Sequence, residues 1–311
     1  MTAVAAATAR KNASRSSGRW LLRWLRRLPS YALLIVCSAI LLFPLYVTAV
    51  FSLHPLTEFL KEDAPSLWPS FWQWDNYFAS GAGVSDTPVG RYLFNSFVMS
   101  TVITLGQLIT ATLSAYAFAF LKFPGRNVLF VAFLATMMVP LEVSIIPNFQ
   151  TMQWLDAHFT EQAWLSWTHI RFIDGYPGLV APFLATGFGT FLLRQYFMTI
   201  PRELLDAAEM DGYGHLRTLL YVVMPLGRGA LATLAIFAFL QAWNQYLWPL
   251  LVTNDPNMRT VQIGIAAEAA NISRINVAFA GTIMAFLPML LLVVAFQRYL
   301  VRGLFGGSVK G

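Results

Sequence analysis

The sequence predicts an all-α integral membrane protein with six transmembrane helices and both termini in the cytoplasm. Three observations predict it. Of the 311 residues, 57% are hydrophobic and 12% are charged, about half the charged share of an ordinary soluble domain. Long intervals carry no Asp, Glu, Lys or Arg. The remaining Lys and Arg gather on one side of those intervals.

The charge-free intervals are residues 28–57, 92–121, 175–193, 229–254 and 275–297, and residues 127–155 carry Glu142 alone. A helix needs about 20 apolar residues to cross about 30 Å of hydrocarbon. Backbone groups in lipid must pair within the segment, which selects helices. The expected spans are 31–51, 93–121, 128–148, 178–196, 229–250 and 277–299. With the N-terminus inside, 16 of the Lys and Arg fall in cytoplasmic segments and 5 outside, the sense of the positive-inside rule. Trp68, Trp72, Trp74, Trp154, Trp164, Trp167, Trp243 and Trp248 then lie at or near the outer face, and Trp20 and Trp24 flank the inner one, at the headgroup depth that indole prefers.

The chain divides accordingly. Residues 1–30 are a basic cytoplasmic tail, holding seven of the 21 Lys and Arg within the first 27 residues. Residues 31–305 are the transmembrane domain, with outer loops 52–92, 150–176 and 251–275 and a cytoplasmic loop 199–225. Residues 306–311 are a second cytoplasmic tail. The first apolar run is about twice the length of a signal-peptide core and contains Pro44, so it is read as a retained span. The clustering of the +6 net charge beside that span argues against nucleic-acid binding. Cys37 is the one cysteine, lies in an apolar run and forms no intrachain disulfide.

The search for reaction chemistry finds little. On this topology His54, His158, His169 and His215 all miss mid-membrane. No span pairs Ser with His, no Glu–His spacing suits a metal, and no G-x-x-x-x-G-K-[ST] phosphate loop occurs. These absences count against a membrane-embedded enzyme.

The cytoplasmic segment TIPRELLDAAEMDGYGHLRTLLYVVMP, residues 199–225, carries most information. Pro201 suits a helix first turn, and Glu203 and Asp206 suit the positive end of the helix dipole. Ala207 and Ala208 make a small surface, and Gly212 suits a helix stop. A second helical stretch, Leu216 to Val223, is expected to end before Pro225. From physics alone, an ordinary amphipathic loop is as good a reading as a docking element.

Asp206-Ala207-Ala208, then Gly212, then Val222-x-Met224-Pro225 resembles the EAA loop of binding-protein-dependent ABC importer permeases. That pattern is Glu-Ala-Ala, three residues, Gly, nine residues, then Ile-x-Leu-Pro. Every spacing agrees, and three positions depart conservatively. Residues 243–250, WNQYLWPL, resemble a signature of the carbohydrate-uptake class. Residues 93–99, 123–127, 140–143, 191–199 and 297–304 resemble the glycerol-3-phosphate permeases within it. The outer loop 150–176 is longer than that likeness leads one to expect.

The resemblance implies a type I importer permease fold in the bacterial inner membrane. It implies half of an alternating-access pathway, paired with a second permease, two ATPase subunits and an extracytoplasmic solute-binding protein. ATP and Mg would be bound by the ATPases, with no cofactor on this chain. The cargo implied is glycerol-3-phosphate or a glycerophosphodiester, with a neutral sugar such as a disaccharide as the alternative. Arg202, Glu203, Asp206, Ala207, Ala208, Gly212 and Pro225 are the expected coupling residues.

Inside the membrane, Glu142 is the one acid at or near hydrocarbon depth. A charge there costs at least about 2.5 kcal/mol, so it faces solute and water, or else is an interfacial residue at a helix end. Asn244 and Gln245, flanked by Trp243 and Tyr246, suit a polyol: amides bond hydroxyls and rings cover C–H surface. The alternative is hydrogen bonding between helices. Asn148 and Gln107 are weaker pathway candidates. Arg194 either draws an anion or anchors the inner end of the fourth span.

Overall fold

The computed structural model describes residues 29–61, 65–68, 72–82, 89–161 and 171–305; the expectations on the N-terminal tail, Trp164, Trp167, His169 and residues 306–311 lie outside them. The described residues form helices and no strand.

The first helix, α1 (Pro29–Phe51), is apolar throughout and packs on almost nothing within the chain. Cys37 is exposed on it. Two short helices follow, α2 (Leu56–Phe59) and α3 (Asp75–Ala82). Asn76 ties α3 to the residues just past α1, its Nδ2 donating to the carbonyls of Ser52 and His54 at 2.9 and 2.8 Å. The long α4 (Val89–Phe120) is the central helix, with α8 (Gly187–Phe197) and α12 (Arg228–Trp243) packed along it. On the other side of α12 runs α15 (Ile275–Phe305), and the short α14 (Val261–Ala269) sits against both α4 and α15. Gly264 permits that close approach: a Cβ there would enter the Tyr92 ring.

Three helices are long and apolar enough to cross a bilayer: Pro29–Phe51, Val89–Phe120 and the stretch Ile272–Gln297. Two further candidates are bent pairs. One joins α7 (Tyr176–Val180) and its 3₁₀ extension Ala181–Phe183 to α8 at 47°. The other joins the stretch His215–Leu226 to α12 at 83°.

Hydropathy alone predicts uninterrupted spans, and the structure corrects three of them. The span expected at 128–148 is two helices, α5 (Arg126–Thr136) and α6 (Leu141–Glu161). Pro140 accounts for the break, because the residue before a proline is driven out of the helical region. The span expected at 178–196 is bent between residues 183 and 187. The span expected at 229–250 stops at Trp243 and resumes as α13 (Leu247–Val252). Pro249 has no N–H, and its ring clashes with the carbonyl four residues back; that carbonyl belongs to Gln245, inside the break.

The buried residues form three clusters along α4, and the one at its Phe120 end is termed the inner cluster. The inner cluster joins Ala111, Ala115 and Tyr116 of α4 to Leu193 and Phe197 of α8 and to Leu219, Val223 and Leu234. Packing toward the Val89 end of α4 is reinforced by buried polar ties. Asn95 donates to the carbonyls of Asn257 and Arg259 at 2.8 and 3.0 Å and accepts from the Tyr176 hydroxyl at 2.8 Å. Trp248 Nε1 donates to the Gly178 carbonyl at 3.0 Å. Buried polar groups cost free energy unless bonded, so these ties fix how the outer connections sit on the helices.

Candidate functional site

The 199–225 segment folds as a short helix, a sharp turn and an irregular second helix. Pro201 is the N-cap rather than a first-turn residue, and α9 runs over Arg202–Met210. Glu203 lies in its first turn, where free N–H groups favour an acid. Gly212 closes the helix at φ +79°. Its N–H donates to the Glu209 carbonyl at 2.9 Å, and the Tyr213 N–H donates to the Ala208 carbonyl at 2.9 Å. This is a Schellman cap, which requires a left-handed residue at its turn.

The two faces of α9 differ. Ala208 is buried, and Leu205 packs against the inner cluster. The opposite face exposes Arg202, Glu203, Leu204, Asp206, Ala207 and Met210. Leu204 is 43% exposed and Met210 88%. Both apolar side chains stand among charged ones on this face. The sequence reading missed both. The available signal was an apolar residue on the polar side of an amphipathic helix.

Beyond the cap, α10 (His215–Thr218) passes into a π turn, Leu219–Val223, and then α11 (Met224–Leu226). The expectation that the helix ends before Pro225 is therefore wrong: it continues through Pro225 and stops at Gly227. A proline inside a helix loses one ladder bond and crowds the preceding turn. The wider π turn immediately before it absorbs that mismatch. A cleft of about 990 Å³ separates α9 from the α4–α5 connection, with Lys122, Arg126, Arg202, Asp206, Glu209 and His215 among its lining residues.

The membrane candidates separate into two groups. Glu142, Gln245 and Tyr246 line one concavity of about 180 Å³, together with Ile145, Leu247 and Trp248. Glu142 is exposed in the first turn of α6, and Gln245 lies in the break between α12 and α13. Asn244 caps the end of α12, its Nδ2 donating to the Leu240 carbonyl at 2.9 Å. Trp243 is buried in the core and stacked on Phe239 with ring centroids 5.7 Å apart. Asn148 is half-buried on α6, outside that concavity. Gln107 donates to the Phe183 carbonyl at 2.9 Å, a bond between helices. Arg194 lies over the Phe130 ring at 4.0 Å and donates from Nε to the Phe118 carbonyl at 3.2 Å, so in this structure it serves as an anchor. Among the described residues, no group of three His, Cys, Asp or Glu is placed to hold a metal.

Residues 107–306 match the model of the family described as binding-protein-dependent transport system inner membrane component. The chain belongs to this family. It is accordingly a transport subunit of the inner membrane and not an enzyme. Relatives in the family include the sn-glycerol-3-phosphate transport system permease protein UgpE of Pectobacterium atrosepticum, 39% identical over 282 residues, and that of Yersinia enterocolitica, 36% identical over 282 residues. Each alignment covers 88% of this chain and 94% of the relative. A crystal structure of a bacterial ABC transporter that imports alginate contains a similar fold, with TM-score 0.71 and 21% identity over 88% of this chain and 95% of that one. A second, of an alginate transporter in complex with an alginate-bound periplasmic protein, gives TM-score 0.56 and 17% identity over 88% and 96% of the chains. At these identities the likeness speaks to fold alone. The family membership accords with the EAA-like segment, which now has a defined shape: a capped helix with one anchored and one free face.

Proposed function

We propose that this permease forms half of an ATP-driven import pathway for glycerol-3-phosphate or a glycerophosphodiester, working by alternating access. The observation that carries the coupling role is α9, a short helix capped at Gly212, seated on the inner core through Leu205 and Ala208, and free on its other face. Arg202, Glu203, Asp206, Ala207 and Ala208 belong to this docking helix, and Pro225 lies in the arm that joins it to α12. Two partner ATPases bind ATP and Mg and pull on α9. The arm passes the motion to α12 as rigid-body rotation. An outside binding protein delivers the cargo, and a second permease supplies the other half of the path.

The topology that supports this role has six crossings with both termini inside. It counts the three long helices, the two bent pairs and, as the sixth, α5 with α6. α5 alone rises roughly 16 Å, about half the hydrocarbon thickness. Glu142 then lies near mid-depth, where a charge needs water, solute or protein around it. Pathway lining by Glu142, Gln245 and Tyr246 follows from their shared concavity. Asn244 stands beside them, while Trp243 supports the break from the core and Asn148 is a more distant lining residue.

The cargo assignment rests on the names of the relatives. The test is uptake of labelled glycerol-3-phosphate, and separately of trehalose and maltose, by the four-subunit complex with its binding protein in liposomes. Saturable sugar uptake without phosphate-ester uptake refutes it.

A further inference from the structure

Building on the import reading above, we infer that this chain's half of the pathway grips the hydroxyl-bearing end of the cargo with hydrogen-bond acceptors, leaving the anionic group to the partner permease. Two helix interruptions meet at the 180 Å³ concavity: the start of α6 after Pro140, and residues 244–246 between α12 and α13. Interrupted helices expose backbone and side-chain polar groups at a depth where lipid offers no partners.

The polar groups there are matched to donors. An ionised Glu142 accepts and cannot donate. Gln245 Oε1 is buried with no donor among the described residues. Among the described residues, no Lys or Arg lines the concavity. A phosphate brought beside a carboxylate is repelled, more strongly as water is excluded, whereas a hydroxyl donates to it. The Tyr246 ring and Ile145 offer apolar surface to C–H groups. The volume corresponds to about six water molecules, the size class of a glyceryl group.

The experiment uses the detergent-solubilised complex of both permeases and ATPases, trapped with ADP and vanadate and without binding protein. Labelled glycerol-3-phosphate is bound and competed with 1-propyl phosphate, which keeps three carbons and the phosphate but lacks both hydroxyls. Wild type should prefer glycerol-3-phosphate roughly tenfold or more, the factor expected for hydrogen bonds to a charged acceptor. Glu142→Gln should erase that preference by weakening glycerol-3-phosphate alone, and Glu142→Asp should restore part of it. Gln245→Leu, which leaves the carboxylate, should narrow the preference as well. Tighter binding of glycerol-3-phosphate by Glu142→Gln would overturn the inference, because it would put the phosphate beside the acid. Equal loss of both ligands, or no change, would overturn it too. Failure of the cargo reading shows separately, as wild-type uptake of a sugar and no phosphate ester. The same ratio is then read with that sugar and its deoxy analogue.

Discussion

Replacing Gly212 tests the coupling segment at its tightest point. The residue sits at φ +79°, and a Cβ added there would meet no atom within 4 Å. The cost of Gly212→Ala is therefore conformational and not steric, about 1–2 kcal/mol for an L-residue held in the left-handed region. That lowers the ratio of capped to opened turn by roughly 5- to 30-fold. Asn tolerates this region better than most residues, so Gly212→Asn should lose less. Gly212→Pro should lose most, because proline cannot reach a positive φ and removes the N–H that bonds to Glu209. In liposomes holding the full complex, uptake driven by loaded binding protein should fall in the order Gly, Asn, Ala, Pro. Basal ATP hydrolysis should persist, so the Pro variant hydrolyses without transporting. Normal uptake and normal stimulated hydrolysis in Gly212→Pro would refute the assignment. Equal losses in Asn and Pro would show that backbone conformation is not what the position supplies.

Three further outcomes are expected. Leu204→Glu combined with Met210→Glu should weaken co-purification of the ATPase subunits at least tenfold while leaving the thermal stability of the permease pair within about 0.5 kcal/mol, as expected of exposed positions. Asn95→Leu removes three buried hydrogen bonds and should cost about 2–4 kcal/mol in detergent unfolding, against about 1 kcal/mol for Tyr176→Phe, which removes one. Arg194→Met forfeits the ring contact and the bond to Phe118 and should lower stability by about 1–2 kcal/mol with cargo KM unchanged; a raised KM with intact stability would make Arg194 an anion-attracting residue instead.

What the sequence made legible was the part governed by composition and by turn chemistry. Helices α1, α4 and α15 follow from apolar length, and the cap at Gly212 follows from a glycine at the end of an amphipathic stretch. The interruptions were hidden because hydropathy averages over side chains and is blind to backbone hydrogen bonds. Residues 244–246 contain neither glycine nor proline, and the cause of the break, Pro249, lies downstream of it. Pro225 shows why proline position alone misleads: there a π turn lets the helix continue. Glu142 and Gln245 are 103 positions apart, and their meeting depends on helix packing that no local pattern encodes.

The 83° elbow between the stretch His215–Leu226 and α12 has a mechanical consequence. The 12 residues of that stretch make an arm roughly 18 Å long, and the 16 of α12 a shaft roughly 24 Å long, at 1.5 Å per residue. The joint is braced by the Tyr196 hydroxyl on the Leu226 carbonyl at 2.9 Å and by the Gly227 N–H on the Val223 carbonyl at 2.8 Å. With the joint stiff, the pair acts as a bell crank. A 1 Å displacement across the tip of the arm turns it by about 3°, and the same angle carries the far end of the shaft about 1.3 Å. Gln245 lies two residues beyond that far end, so under the proposed coupling a 1 Å displacement of the arm is lengthened, not damped, at the concavity.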